Sequence, residues 1–222
     1  MQYRAVIFDL DGTLIDSLED LADSVNQMLR NHGLPTHTSD AVRLMIGNGT
    51  QKLIERALPK EYLSDADFVK AAVKEYKEIY QNHILEKTRS YPGILEMLHE
   101  LSLEHIPMGI CTNKHVEAAE TIVKILFEEK LFQIVLGDCP GKPKKPDPTT
   151  VLEIASVLSA RPEEVVYLGD SAVDMETATR AGFLPVGVLW GFRDKEELVG
   201  AGAKILLEHP MDLFDQVTFV RV

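Results

Sequence analysis

The chain has 222 residues, 45% of them hydrophobic and 26% charged, with a formal net charge of −12. That apolar content is ample for a sizeable core, in one large domain or two small ones. The acidic balance, with no basic face to offset it, excludes nucleic acid and an anionic membrane surface as expected partners; a small anionic ligand stays allowed where a local cation and a few lysines reverse the field.

The first predicted element is the apolar run Ala5-Val6-Ile7-Phe8. It is too short for a helix and is followed by a turn signal at Gly12-Thr13, which predicts a buried strand of a parallel sheet. It begins almost at Met1, so no targeting segment is expected ahead of it. Asp9 and Asp11 come straight after it, with Leu10 between them turned toward the core. Open α/β sheets place their chemistry at the carboxyl ends of strands. Two carboxylates there can hold a cation, attack an electrophile or move a proton, although Asp-x-Asp by itself is an ordinary solvated turn.

Ser17 is the expected N-cap of a helix in which Leu18, Leu21, Ala22, Val25, Met28 and Leu29 recur at helical spacing, stopped by Gly33 and Pro35. Residues 40–46 and 50–58 predict two short helices around Gly47-Asn48-Gly49, and 65–81 a longer, charged, amphipathic one. No strand is expected from Ser17 to about His83. Past Tyr91-Pro92-Gly93 the pattern alternates. Helices are predicted over 94–104, 116–127, 148–158 and 172–181, and strands over 107–112, 132–136, 165–168 and 185–189. A weaker strand at 203–206 and a last helix at 211–217 close the chain. Alternation of this kind predicts an α/β fold with a right-handed, doubly wound parallel sheet. No apolar run reaches the roughly 18 residues of a membrane span. Cys111 and Cys139 form neither CxxC nor a metal-finger spacing, so a reduced, cytoplasmic protein is expected, with Cys111 a small buried hydrophobe.

Four strand ends or loops carry candidate chemistry: Asp9 and Asp11; Cys111-Thr112-Asn113-Lys114; Gly141 to Pro148, with Lys142, Lys144 and Lys145; and Gly169-Asp170-Ser171-Ala172-Val173-Asp174. Each follows an apolar run or opens a helix, so all four can meet at one sheet edge. In this order they resemble the haloacid dehalogenase superfamily, and most closely its phosphoglycolate phosphatase branch. The resemblance runs through Asp9-Leu10-Asp11-Gly12-Thr13, Thr112-Asn113, Lys145-Pro146-Asp147-Pro148, Gly169-Asp170-Ser171 with Asp174, the segment 42–58, and Trp190-Gly191-Phe192-Arg193-Asp194.

The resemblance implies a Rossmann-like core, residues 1–14 and 86–222, with an all-helical cap domain, 15–85, inserted after the first motif. It implies a Mg²⁺-dependent phosphomonoesterase acting on a small phosphorylated metabolite, 2-phosphoglycolate first, through an aspartyl-phosphate. Asp9 is then the nucleophile and Asp11 the general acid and base. Lys145 is the fixed positive charge, chosen over Lys142 and Lys144 because it precedes Pro146-Asp147-Pro148. Thr112, Asn113 and Gly12 bind the phosphoryl group. Asp9, Asp170 and the main-chain carbonyl of Asp11 hold the metal, and Asp174 orients Asp170 or a bound water. Asp147 reads as a turn or cap residue.

In the helical insertion Arg43, Asn48, Thr50 and Lys52 are the candidates for contact with the leaving group, against the alternative of a plain surface helix-loop-helix. A phosphosugar mutase, a pyrophosphatase or nucleotide hydrolase, and a non-catalytic phospho-ligand-binding protein are the competing readings. A dehalogenase is disfavoured, because Asp11 has no leaving alkoxide to protonate in that reaction. Oligomeric state is not legible in the sequence.

Overall fold

At the centre of the main sheet lies β1 (Ala5–Phe8), a strand with all four side chains buried in the computed structural model, which describes residues 2–220. It pairs in parallel with β4 (Met108–His115) on one side and β6 (Val165–Gly169) on the other. Beyond β4 lies β5 (Ile134–Asp138), and beyond β6 lie β7 (Leu184–Val188) and β8 (Ile205–Leu207). Both faces of the central strands are covered, so they read as continuous apolar runs rather than alternating ones.

The helices between these strands are α5 (Ile94–Leu103), α6 (Val116–Leu126), α7 (Thr149–Val157), α8 (Ala172–Ala181) and α9 (Lys195–Gly200), with α10 (Leu213–Gln216) at the end. The strand order, β5-β4-β1-β6-β7-β8, reverses direction around β1. The carboxyl ends of β1, β4 and β6 are therefore neighbours, and they define the crevice in which open parallel sheets bind ligands. The register fixes this closely, since Phe8 lies opposite both Ile110 and Leu168.

Contacts divide the chain into two compact units, Met1–Asp16 with Ser90–Val222, and Ser17–Arg89. The second is helical: α1 (Leu18–Asn31), α2 (Ser39–Met45), α3 (Thr50–Ala57) and α4 (Ala66–His83). Its core joins Leu21, Val25, Met28 and Leu29 of α1 to Val69, Ala72, Tyr76 and Tyr80 of α4. At its two chain ends the buried Asp20 carboxylate accepts hydrogen bonds from the Lys87 N–H (2.9 Å), the Thr88 N–H (2.9 Å) and the Thr88 hydroxyl (2.6 Å). Among the described residues, no helix is long and apolar enough to cross a membrane.

Several predicted boundaries move. Ser17 occupies the N-cap position of α1, but its side chain makes no capping bond, because its backbone (φ −110°, ψ 5°) is not the extended conformation that aims a hydroxyl at the first turn. β4 runs three residues past the predicted 112, through a register irregularity between Cys111 and His115, and β5 starts two residues later than predicted. Two short strands, β2 (Ile15–Asp16) and β3 (Arg89–Ser90), pair in a separate ribbon that periodicity cannot show at such a length. Helix α9 was also not predicted. Its signal is present in Asp194, whose side chain accepts from the Glu197 N–H at 2.9 Å.

Candidate active site

Asp9 follows β1 directly, and its N–H continues the sheet by donating to the Leu168 carbonyl at 2.9 Å. The chain then folds back tightly, with the Thr13 and Leu14 N–H groups donating to the Leu10 carbonyl and the Gly12 N–H to Ile15. Leu10 is fully buried, as expected. Gly12 sits at φ +86°, and a Cβ there would collide with the Asp170 carboxylate, so both backbone conformation and space demand glycine. Motif one and motif four are thus in contact through a residue with no side chain.

Lys145 is the hub. Its ammonium lies 2.7 Å from Asp9 Oδ1, 2.6 Å from Asp174 Oδ1 and 3.2 Å from the Tyr167 hydroxyl, and only 6% of the residue is exposed. The neighbouring lysines go elsewhere: Lys142 pairs with Glu153 and Lys144 with Asp138. Burial pulls the Lys145 ammonium down, but Asp174 and Asp9 outweigh it and hold the group well above the usual lysine value. Asp174 spends its other oxygen on the Ser171 hydroxyl (2.6 Å) and N–H (3.2 Å). It therefore anchors Lys145 and the start of α8.

The second motif is tied to the lysine loop and to the first motif. Asn113, expected to donate to a phosphoryl group, holds the Lys145 backbone, accepting from its N–H at 2.9 Å and donating to its carbonyl at 3.1 Å. Asn113 lies within the register irregularity between Cys111 and His115. Thr112 accepts from the Lys114 N–H at 3.1 Å, which leaves its hydroxyl hydrogen to donate. Lys114, to which sequence reasoning gave no role, reaches both Asp11 oxygens, at 2.8 and 2.9 Å, and is buried. Its only sequence signal was its place in the strand-end run after Thr112-Asn113.

Asp9, Asp170 and Asp174 are all buried, and they offer carboxylate oxygens that lie within 4.8 Å of one another. Burial, then repulsion from Asp174, pushes Asp9 up to about 7 despite its ion pair with Lys145. Burial, with the charges of Asp174 and Asp9, pushes Asp170 well above the usual carboxylate range. In this pocket four carboxylates (Asp9, Asp11, Asp170, Asp174) face two ammonium groups (Lys114, Lys145), while the Arg193 guanidinium, which also acts on Asp170, is paired with Glu197. The deficit is two positive charges, and the donors are all oxygen. That set fits a hard divalent cation, with protons standing in for the missing charge when none is bound.

Cys111 is buried, with its thiol pushed up to about 12 chiefly by desolvation, so it is inert packing. Asp147 accepts from the Thr149 N–H at 2.9 Å, as a turn and cap residue does. In the helical unit Arg56 donates to the Met45 carbonyl and to Asn48 Oδ1, each at 2.7 Å, and so braces the loop before α3. Lys52 pairs with Glu55 and Arg43 with Asp40, while Thr50 opens α3.

A family model described as haloacid dehalogenase-like hydrolase matches residues 6–188. The chain is 31% identical over 214 residues to a phosphoglycolate phosphatase of Chromobacterium violaceum, covering 96% of this chain and 95% of that one. It is also 31% identical over 217 residues to an N-acetylmuramic acid 6-phosphate phosphatase of Pseudomonas aeruginosa, covering 97% and 95%. A crystal structure from Lactobacillus delbrueckii subsp. bulgaricus superposes with a TM-score of 0.90 at 28% identity, covering 98% of this chain and 99% of that one.

Proposed function

The chain belongs to the haloacid dehalogenase-like hydrolase family and is a phosphatase, and we propose that it hydrolyses a small phosphorylated acid, with 2-phosphoglycolate the first substrate to test, through an aspartyl-phosphate on Asp9 and with Mg²⁺. The observation that carries this reading is the buried cluster of Asp9, Asp170 and Asp174, with the Lys145 ammonium paired to Asp9 and Asp174. A nucleophilic carboxylate needs no base, but it needs its repulsion from phosphate cancelled. A bound Mg²⁺, held by Asp9, Asp170 and the main-chain carbonyl of Asp11, would supply that charge.

The chain's own groups then act in sequence. Lys145 holds Asp9 Oδ1, which leaves Oδ2 to attack phosphorus. As the new O–P bond forms, the bond to the leaving oxygen breaks and its electron pair stays on that oxygen. Asp11 gives that oxygen a proton. Asp11, now a carboxylate, takes a proton from water, whose oxygen attacks the same phosphorus; the bond to Asp9 breaks, and phosphate and the free carboxylate result. Thr112 donates its hydroxyl hydrogen to a phosphoryl oxygen, and the Lys145 ammonium spreads its charge over the transition state. Lys114 fixes the rotamer of Asp11.

The inserted helical unit is proposed to serve as the cap, joined by two linkers and able to exclude water during turnover. Arg43, Asn48, Thr50 and Lys52 are its proposed contacts to the leaving group. Cys111 and Cys139 are both free thiols, which supports a reducing, cytoplasmic setting. A second reading of the substrate is favoured by the N-acetylmuramic acid 6-phosphate phosphatase, which is as similar as the phosphoglycolate phosphatase. Both names denote a phosphorylated acid.

The test is phosphate release, with Mg²⁺, from 2-phosphoglycolate, N-acetylmuramic acid 6-phosphate, a sugar phosphate, a nucleotide and pyrophosphate. The proposal expects fastest release from an acid phosphomonoester, abolished in Asp9→Asn. Transfer of phosphate to a sugar without release, or activity that survives Asp9→Asn, rejects it.

A further inference from the structure

Three consecutive residues after β7 touch the two motifs on which the proposed chemistry rests. The Trp190 indole N–H donates to the Thr13 carbonyl at 2.9 Å, in the turn that carries Asp9 and Asp11. The Phe192 N–H donates to Asp170 Oδ2 at 2.7 Å. Between them Gly191 has no room for a side chain. A Cβ there would collide with the Gly12 carbonyl oxygen and with Asp170 Cβ, and would stand 2.8 Å from Asp170 Oδ2. Asp170 is only 3% exposed, and the glycine backbone of residues 12 and 191 packs directly against it.

From these contacts we infer that Trp190–Phe192 is a positioning element for the divalent cation, setting the Asp170 carboxylate against the Asp9–Thr13 turn and letting Trp190 report occupancy. The inference rests on the metal reading above. Small hard cations demand near-octahedral geometry, so a carboxylate ligand has to be held in one orientation before the cation arrives. Partners behind the ligands do this, and their loss weakens metal binding. Asp9 and Asp174 are each held by the Lys145 ammonium, which competes with a cation for their charge. Asp170 Oδ2 is held by a main-chain N–H, which orients the group, and the Lys145 ammonium does not pair with it; the cation acting on it is the Arg193 guanidinium. Trp190 is the one tryptophan of the chain. Its indole N–H is bonded to the turn that carries Asp9, so a shift of that turn on metal binding alters its emission.

The experiment titrates MgCl₂ into EDTA-stripped protein, followed by calorimetry and by tryptophan fluorescence, with circular dichroism as the check on folding. Wild type is expected to bind with a change in emission, and Asp170→Asn to show neither. Gly191→Ala, which drives a methyl into Asp170, is expected to lose about 10- to 100-fold in Mg²⁺ affinity. Trp190→Phe keeps an aromatic ring and removes only the donor; it carries the test if Gly191→Ala does not fold, and about tenfold weaker binding is expected of it. Wild-type Mg²⁺ affinity in folded Trp190→Phe, or binding by wild type with unchanged emission, overturns this inference alone. Absence of Mg²⁺ binding by wild type overturns the metal reading and this inference with it.

Discussion

One ammonium group, that of Lys145, holds two buried carboxylates and a phenol, and the character of the pocket follows from that. Removing it leaves Asp9 and Asp174 buried and mutually repelling. Lys145→Met is therefore expected to destabilise the metal-free protein by about 3–5 kcal/mol at pH 8, measured by urea unfolding. Protonation offers the carboxylates another escape. Burial first and Asp174 second push the Asp9 carboxyl from its ordinary 3.8 up to about 7 in the folded, metal-free protein. Over that window the folded state holds a proton that the unfolded state has released, so stability must fall as pH rises. Urea midpoints in EDTA are expected to decline from pH 4 through about 7, and saturating Mg²⁺ to flatten that decline. No such decline would place Asp9 outside a carboxylate cluster. The choice of Lys145 over Lys142 and Lys144 came from its place before Pro146-Asp147-Pro148. Residue type could not make it, because three lysines of one loop differ only in where the fold points them. Lys114 stayed hidden for the same reason: its partner, Asp11, is 103 residues away in sequence.

Elements were legible wherever apolar spacing extends over several turns, as in α1, α4 and α8, because burial of one face leaves a periodic trace. They were illegible where a single polar contact does the work. Asp20 is such a case. It reads as an acidic residue in the first turn of a helix, yet it is buried and receives hydrogen bonds from Lys87 and Thr88, which join the two chain ends of the helical unit. Asp20→Ala leaves those donors without their acceptor and is expected to cost about 2–3 kcal/mol. Urea unfolding measures it, and a loss within experimental error would show the bonds to be replaced by water. The irregularity in β4 is the other case. It falls in the segment where Asn113 clamps the Lys145 backbone, and no pattern in Cys111 to His115 announces either.

At the scale of the whole molecule, the reversal of strand order around β1 brings together carboxylates from strands far apart in sequence. A cation that binds only this assembled pocket must stabilise the fold. Mg²⁺ at about 100 times its dissociation constant is expected to add about 2.7 kcal/mol, seen as a raised urea midpoint that Asp170→Asn abolishes. An equal shift in that variant would mean the ion binds elsewhere. The amino-acid sequence by itself determined the α/β class, the helical insertion and the strand ends that carry acidic and basic groups, because periodicity and motif spacing are local properties of the chain. Only the tertiary structure decided which lysine meets which carboxylate, that Asn113 serves Lys145, and that Trp190, Gly191 and Phe192 close on Asp170 and the first motif. Those pairings depend on register and on the packing of backbone against backbone, and neither exists until the sheet is assembled.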